Sequence, residues 1–321
     1  MKAFAIGIDL GATTIKAGVV NKKGNILDQI VADSRARRGP TAVVQQIHFT
    51  IQELLSHHKQ TECFGIGIGS PGIVIPEGDG IVKYPPNFAD WTEVALAKAV
   101  RKNFPLPVFV ENDANAAAIA EAVYGAGMYV KDFLFVIWGT GVGGGVIMNH
   151  KIFRGPQGGA GEIGHVSIDY NGLLCNCGNN GCIESYIGQR YLSQRTKEML
   201  QRMPDDTAPS KIGQLVEGNL NKIEPAIIST AAEQGDSTAT EILEEAGELL
   251  GYALATAVNI LDIPIVIVGG GISAAPQFVF TAIESALRSR VLKPHKSAVK
   301  VVRASLGNTA GIIGAASLVM S

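Results

Sequence analysis

The sequence is poor in cysteine, with four in 321 residues, and it has no apolar run of the ~18 residues that a membrane helix needs. The N-terminus carries only a short apolar stretch before Asp9 and lacks a cleavage-site pattern. These absences predict a cytoplasmic protein without a membrane partner. In a reducing cytosol, clustered thiols serve as metal ligands or catalytic groups more often than as disulfides.

A strong net charge is also missing, since the formal charge is only -2. The chain therefore has no broad electrostatic footprint for nucleic acid, and small-molecule partners are expected instead. A hydrophobic content of 46% with 38 glycines is typical of a well-packed globular protein with many tight turns. The length exceeds that of a usual single-core domain and favours two lobes.

Two stretches share one pattern of strand, Gly/Thr turn and strand. They are MKAFAIGIDLGATTIKAGVV at the N-terminus and FLFVIWGTGVGGGVIM in the middle of the chain. Aligning Asn21 with Asn149 also aligns Gly11 with Gly139. The pattern predicts two related hairpin units, one in each lobe.

Helices are predicted near residues 41–58 and 92–103, with a Pro/Gly/Asn-rich loop through residue 90 between them. The VENDAN segment leads into a predicted Ala-rich helix, which Gly125 can end. A long helix later in the chain has Asp236 or Ser237 as its predicted N-cap. The last apolar segment, TAGIIGAASLVM, is expected to pack back on the first lobe. Alternating strands and helices throughout indicate an α/β fold.

Three glycine-containing turns are candidates for nucleotide binding. Backbone N–H groups and hydroxyls in such turns can hold phosphate oxygens, and a carboxylate at a strand end can hold hydrated Mg²⁺. A glycine run after a buried strand allows adenine or ribose to approach the backbone. Each turn alone is equally compatible with an ordinary structural turn. The candidate residues are Asp9 (Mg²⁺), Gly11, Thr13, Thr14, Lys16, Gly139, Thr140 and Gly141 (phosphate), and Gly269, Gly270 and Gly271 (adenosine).

VENDAN also supplies a candidate general base. Asp113 follows a predicted strand at the start of a helix, where its carboxylate can take the proton of a sugar hydroxyl, and Asn112 can hold a neighbouring hydroxyl. The alternative is that Asp113 is simply the helix cap.

Three of the four cysteines lie in CNCGNNGC. With His165 ten residues earlier, Cys175, Cys177 and Cys182 make a Cys₃His set, which is typical of a closed structural zinc site. A redox pair would more often have CxxC spacing, and a disulfide within CxC would be strained.

Taken in order, DLGATTIK, ENDANAAA, GTGVGGG, GGAGEIGH and CNCGNNGCIE resemble the ROK family of bacterial sugar kinases and repressors over nearly the whole chain. The resemblance implies an actin-like, ribonuclease-H-like two-lobed α/β fold with ATP and sugar in the interlobe cleft. We expect a small lobe of residues 1–112 plus 309–321 and a large lobe of residues 113–308.

The resemblance also implies roles for individual residues. Asp113 would be the catalytic base, and the Cys₃His set would hold zinc, with the second nitrogen of His165 turned to the sugar. One position departs from the family pattern: PGIVI has Ile75 where family kinases often have Asp. The expected sugar contacts are Asn87, Asn112, Asp113, Glu162, His165 and Glu184.

Family members are either kinases or repressors with a DNA-binding module before the first hairpin. Here the first strand begins at about residue 3, so we expect an enzyme that does not bind nucleic acid. The expected reaction is transfer of the ATP γ-phosphoryl to a hexose, with Mg²⁺ and structural Zn²⁺, in a homodimer. Glucose is the expected acceptor on family frequency. N-acetylmannosamine, fructose, mannose and allose kinases, and a non-catalytic sugar sensor, are the alternatives.

Overall fold

The computed structural model describes residues 2–202 and 210–320. Its strands, in chain order, are β1 (Phe4–Leu10), β2 (Thr14–Asn21), β3 (Ile26–Asp33), β4 (Cys63–Ser70), β5 (Ile73–Ile75), β6 (Ile81–Lys83), β7 (Glu93–Ala95), β8 (Val108–Asn112), β9 (Phe133–Trp138), β10 (Val142–Met148), β11 (Lys151–Ile152), β12 (Ile265–Gly269) and β13 (Lys300–Arg303). Its α-helices are α1 (Pro40–His57), α2 (Leu96–Arg101), α3 (Asp113–Tyr124), α4 (Glu184–Ile187), α5 (Gln189–Arg202), α6 (Lys211–Leu215), α7 (Pro225–Glu233), α8 (Ser237–Leu261), α9 (Gln277–Arg290) and α10 (Ala310–Ser317). None of these helices is both long and apolar enough to cross a bilayer.

The chain packs into two compact units. The first comprises Met1–Lys131, Gly145–Gly161 and Asn308–Ser321, and the second comprises Asp132–Gly144 and Glu162–Gly307. This division differs from the expected boundary after residue 112, because helix α3 packs on α10 and β4 and so belongs to the first unit.

The first unit contains a five-stranded sheet in the order β3-β2-β1-β4-β8. The first hairpin is antiparallel, whereas β1, β4 and β8 run parallel. Strand β1 is buried on both faces: Ile6 and Ile8 belong to a cluster with residues of α1 and α2, and Ala5 packs with Ile312 and Ala316 of α10. The expectation that the last segment packs back on the first lobe is confirmed.

Two glycines allow α10 to lie directly on this sheet. A Cβ at Gly7 would stand 1.9 Å from the Ile312 carbonyl oxygen, and one at Gly67 would stand 1.7 Å from that of Ala315. Only glycine permits so close a backbone approach.

The predicted helix at 92–103 is wrong at its start. Residues Glu93–Ala95 form strand β7, which pairs with β6 in a three-stranded sheet in the order β5-β6-β7. The Trp91 indole N–H donates to the Val82 carbonyl oxygen (3.1 Å) and ties this strand to its neighbour. A pairing partner outside the segment, 10 to 14 positions earlier in the chain, thus overrides the local helical pattern.

A second five-stranded sheet has the order β11-β10-β9-β12-β13. Its strands β9, β12 and β13 lie in the second unit and pair in parallel. Helices α8 and α9 pack closely, since a Cβ at Gly251 would stand 2.4 Å from the Ile283 carbonyl oxygen. Helix α8 begins as predicted, with Asp236 as its N-cap: the carboxylate accepts the Ala239 N–H at 2.8 Å. The α/β fold class is confirmed.

Candidate active site

In the first unit, the parallel strands end at one edge of the sheet. The register pairs Asp9 of β1 with Gly69 of β4, and Ser70 of β4 with Asn112 of β8. Asp113 follows directly, and its Cα lies 3.5 Å from where a Cβ on Gly69 would stand. The carboxyl ends of parallel strands in α/β sheets are the usual place for ligand sites.

The first predicted phosphate turn lies at this edge. The Gly11 N–H donates to the Thr14 carbonyl oxygen (2.9 Å), which closes a tight turn with Thr13 exposed at its tip. Lys16 lies opposite Asp9 in the β1–β2 register. Burial raises the pKa of Asp9, and the positive charge of Lys16 opposes this rise. All five predicted residues of the turn therefore lie close together.

Asn112 is the N-cap of helix α3. Its side-chain oxygen accepts the Asn115 backbone N–H at 3.1 Å, while the Asp113 carboxylate accepts the N–H of Ala114 at 2.8 Å. The alternative interpretation of Asp113 as the cap is wrong, because Asn112 fills that position. Asp113 instead lies in the first turn, where the helix dipole stabilises a carboxylate.

Asn112 is also tied to the loop after β4. Its amide nitrogen donates to the Gly72 carbonyl oxygen (3.1 Å), and Gly72 packs so tightly on Pro85 that a Cβ would stand 2.9 Å from the proline nitrogen. Two residues beyond, Asn87 has a left-handed backbone (φ 67°) and is exposed, while the next residue, Phe88, is buried. The two predicted sugar contacts Asn87 and Asn112 are thus connected through one packed loop.

Sequence reasoning missed the group behind this junction. Glu111, at the end of β8, is 1% exposed, and its carboxylate pairs with the Arg154 guanidinium (Oε2 to Nη2, 2.6 Å). The sequence did contain a signal for this ion pair. Glu111 is a charged residue near the end of a short, mostly apolar strand, and a buried carboxylate needs a partner.

In the second unit, the other two glycine turns lie side by side. The parallel β9–β12 register pairs Ile137 with Gly269. A Cβ at Gly139 would stand 3.8 Å from the Gly271 nitrogen, and one at Gly270 (φ 82°) would stand 2.6 Å from the Trp138 carbonyl oxygen. The predicted second phosphate turn and the adenosine turn are therefore adjacent, and glycine is required at Gly270 both by space and by conformation.

Glu184 contacts the second phosphate turn. Its Oε2 accepts the Val142 N–H at 2.9 Å, and it lies so near Gly141 that a Cβ there would stand 2.4 Å from it. On the other side, a Cβ at Gly164 would stand 1.9 Å from the Val142 carbonyl oxygen. Gln189, missed by sequence reasoning, donates its backbone N–H to the Gly139 and Thr140 carbonyl oxygens. The GEIGH segment, Glu184 and the turn form one packed assembly.

The four predicted zinc ligands also come together. Their donor atoms all lie within 4.8 Å of one another, with Cys175 Sγ 3.8 Å from His165 Nδ1 and Cys177 Sγ 3.6 Å from Cys182 Sγ. A tetrahedral zinc with Zn–S bonds of about 2.3 Å has ligand-to-ligand edges of about 3.8 Å, so the cluster fits the ion. Burial raises the pKa of Cys182 to about 12, and the neighbouring Cys177 and Cys175 add to this. A divalent cation would offset the charge of such crowded thiolates.

The backbone around the cluster depends on glycine and on a tyrosine. Gly181 (φ 74°) approaches the Asp169 carbonyl oxygen so closely that a Cβ would stand 1.6 Å from it. The Tyr186 hydroxyl accepts the Leu173 N–H at 3.2 Å, a contact that the sequence pattern did not indicate. Because Nδ1 of His165 faces the thiols, its Nε2 is the nitrogen turned elsewhere.

Glu162 lies near His165 and Glu184. Residue Glu162 is exposed as a whole, yet neighbouring atoms crowd its carboxyl group, and this desolvation raises its pKa. The charge of His165 opposes the rise and that of Glu184 adds to it. The charges of the other two predicted sugar contacts of the second unit thus act on the Glu162 carboxyl.

Known proteins match this chain over nearly its full length. The family model described as ROK family matches residues 5–321. The glucokinase of Thermotoga maritima is 34% identical over 318 residues, which cover 99% of this chain and 98% of that protein. The xylose repressor of Caldicellulosiruptor bescii is 30% identical, over 98% of this chain and 78% of the repressor. A crystal structure of a ROK family glucokinase from Streptomyces griseus, in complex with glucose and AMPPNP, has a TM-score of 0.86 at 35% identity and 98% coverage of both chains.

The chain belongs to the ROK family. Its mixed α/β structure matches the actin-like sugar kinase fold of the ROK glucokinases.

Proposed function

We propose that this protein is an ATP-dependent hexose kinase that converts glucose to glucose 6-phosphate. The observation that supports this most is the sheet edge of the first unit. This edge brings the Asp9–Lys16 turn together with Asn112 and Asp113. The chain is also similar to a glucokinase over nearly its whole length. A nucleotide turn and a carboxylate base are the two parts that phosphoryl transfer to a hydroxyl needs.

In the proposed reaction, the 6-hydroxyl oxygen of glucose attacks the γ-phosphorus of ATP. The new O–P bond forms as the bond from that phosphorus to the ADP oxygen breaks, and the hydroxyl proton goes to the Asp113 carboxylate. Asn112 holds a neighbouring hydroxyl. Positioning and electrostatic stabilisation account for most of the rate in such transfers.

The remaining proposed roles concern binding. Gly11, Thr13, Thr14 and Lys16, together with Gly139, Thr140 and Gly141, would hold phosphates, and Gly269, Gly270 and Gly271 would receive the adenosine. Mg²⁺ bound at the Asp9 carboxylate would neutralise phosphate charge. Asn87, Asn112, Asp113, Glu162, His165 and Glu184 would contact the sugar.

Zinc held by His165, Cys175, Cys177 and Cys182 would have a structural role, because four protein ligands leave no open position for chemistry. His165 belongs to the cluster and Glu184 follows its last cysteine by two residues, so both would gain their orientation from it. Both contribute to sugar binding in this proposal.

The acceptor is tested by measuring ADP release with ATP and Mg²⁺ across glucose, mannose, fructose, allose and N-acetylmannosamine. We expect the highest kcat/KM with glucose. Faster turnover of another hexose would reassign the substrate. No turnover with any sugar, in folded protein of full zinc content, would contradict the kinase. Sugar binding without turnover would then support a sensor, a role that the xylose repressors among the relatives make reasonable.

The contact between Glu184 and the second phosphate turn yields a separate prediction. The added methyl group in Gly141→Ala would stand 2.4 Å from the Glu184 Oε2, which is too close for a non-bonded contact. The carboxylate must therefore move away from the Val142 N–H whose hydrogen bond it accepts. We expect the KM values for ATP and for sugar to rise together, each by about 10-fold, since losing a hydrogen bond to a charged group costs about 1.5 kcal/mol or more and about 1.4 kcal/mol is tenfold.

Steady-state kinetics with each substrate varied in turn measures this. Gly213→Ala in α6 is the control, because a Cβ there meets no atom within 4 Å. Unchanged KM values in Gly141→Ala would contradict the coupling of Glu184 to the turn.

We also propose that the protein is a cytoplasmic homodimer whose product enters glycolysis. These three proposals are supported by the family resemblance alone.

A further inference from the structure

A buried ion pair lies directly behind the proposed catalytic base. The Glu111 side chain is 2% exposed and that of Arg154 is 35% exposed. Arg154 donates from Nε (2.7 Å) and Nη2 (2.6 Å) to the same carboxylate oxygen, Oε2. Two charge-assisted bonds from one planar group fix the direction of the carboxylate as well as its charge.

The other carboxylate oxygen holds the strand-to-helix junction. Oε1 of Glu111 accepts the Asn112 backbone N–H at 3.0 Å and the Asn115 side-chain amide at 3.1 Å. The same two asparagines form the N-cap bond of α3. The carboxylate therefore braces the junction on either side of Asp113.

Arg154 is itself anchored in a short loop. Its carbonyl oxygen accepts the Ala160 N–H at 3.0 Å, and within this loop Gly158 (φ 77°) lies so near the Val74 carbonyl oxygen that a Cβ would stand 2.4 Å from it. Val74 belongs to β5, which follows the Gly72 carbonyl that Asn112 binds. Three segments distant in sequence are thus joined by hydrogen bonds and by one close backbone approach.

We propose that Arg154 is a positioning residue for phosphoryl transfer: through Glu111 it sets the direction of the Asn112–Asp113 junction. This inference rests on the proposed kinase function. A buried ion pair adds little net stability over an apolar pair of similar volume, so its main consequence here is orientation.

The test compares Arg154→Met, Arg154→Lys and the double variant Glu111→Gln/Arg154→Met with the wild-type chain. The double variant leaves no unpaired buried charge and keeps a side chain of the same length at position 111, so it remains informative if Arg154→Met does not fold. Arg288→Met is the matched control, since Arg288 pairs with Glu284 on α9 (2.6 Å) in the second unit. Measured are kcat, the KM for sugar and the KM for ATP.

We expect the double variant to lose about 10-fold in kcat/KM for sugar with an unchanged KM for ATP, as fits a small misplacement of the base and Asn112. Arg154→Lys should fall between it and the wild type.

A double variant with the kinetics of Arg288→Met, or one whose KM values for both substrates rise equally, would overturn the positioning role while leaving the kinase function intact. A wild-type chain without hexose turnover would overturn both.

Discussion

Replacing Asp113 by Asn should lower kcat by at least roughly 10²- to 10⁴-fold, the usual contribution of general-base assistance. The amide is nearly the same shape as the carboxylate but cannot take the hydroxyl proton. Asp113 lies in the first turn of α3, whose N-cap bond is made by Asn112 and Asn115, so the substitution leaves the cap intact. The loss should therefore appear in the chemical step and not in the fold.

Two measurements separate these effects. Calorimetric titration with glucose should give a dissociation constant within a few-fold of that of the wild type, and single-turnover kinetics should show the slow step. Asp262→Asn is the matched control: the same chemical change is made at an exposed residue with a left-handed backbone (φ 56°), a conformation that asparagine tolerates. If Asp113→Asn kept full activity, another group would have to be the base.

The local parts of the candidate site could be predicted from the sequence because their signals are short in range. The Cys₃His set spans 18 positions from His165 to Cys182, and the donor atoms converge as its spacing predicts. The Asp9–Lys16 turn joins two consecutive strands, and the VENDAN junction joins a strand to the helix that follows it directly. In the turn and the junction the intervening backbone is too short to place the residues far apart, and within CNCGNNGC tight turns bring the thiols together.

The contacts that the sequence did not predict join residues far apart along the chain. Glu111 and Arg154 are 43 positions apart, and Val142 and Glu184 are 42 apart. Neither pair shares a strand or helix, and only the packed fold brings them into contact. The residues themselves belong to recognisable motifs, but their partners follow from tertiary structure.

The error at residues 93–95 and the difference between the expected boundary at residue 112 and the observed compact units have the same origin. Residues 93–95 were predicted to be helical, but their pairing with β6 makes them a strand. The boundary at residue 112 ignored the packing of α3 on α10, whose residues follow it by about 190 positions. A sequence pattern within one segment does not show which other segment will pair with it or pack on it. That tertiary contact decides which local structure forms and which unit the segment joins.

Removing one zinc ligand should affect sugar far more than nucleotide. In Cys177→Ser we expect the KM for glucose to rise by at least about 100-fold, the upper end of what loss of a group supporting a metal ligand costs. His165 and Glu184, the proposed sugar contacts, lie at the two ends of the cluster along the chain. The adenosine turn at Gly269–Gly271 is held instead by the pairing of β12 with β9, so the KM for ATP should change little.

The substitution at Cys177 is the mildest of the four, because this cysteine is exposed whereas Cys175 and Cys182 are buried. Cys63→Ser is the matched control: this fourth cysteine lies in β4, where its Sγ donates to the Gly65 carbonyl oxygen (3.3 Å), and a serine can keep that bond. Metal analysis should find about one zinc per chain in the wild type and in Cys63→Ser, and less in Cys177→Ser.

The Glu184–Val142 bond makes the outcome more specific. Because Glu184 also touches the second phosphate turn, disorder of the cluster could spread to the triphosphate, and the KM for ATP would then rise as well. A rise confined to the sugar would mean that the second phosphate turn keeps its arrangement when Glu184 shifts, because the pairing of β9 with β12 holds that part of the unit. Equal rises in the two KM values would mean that the zinc cluster orders both the sugar contacts and the second phosphate turn of the second unit. An unchanged KM for glucose in zinc-depleted protein would show that the metal does not order the sugar contacts at all.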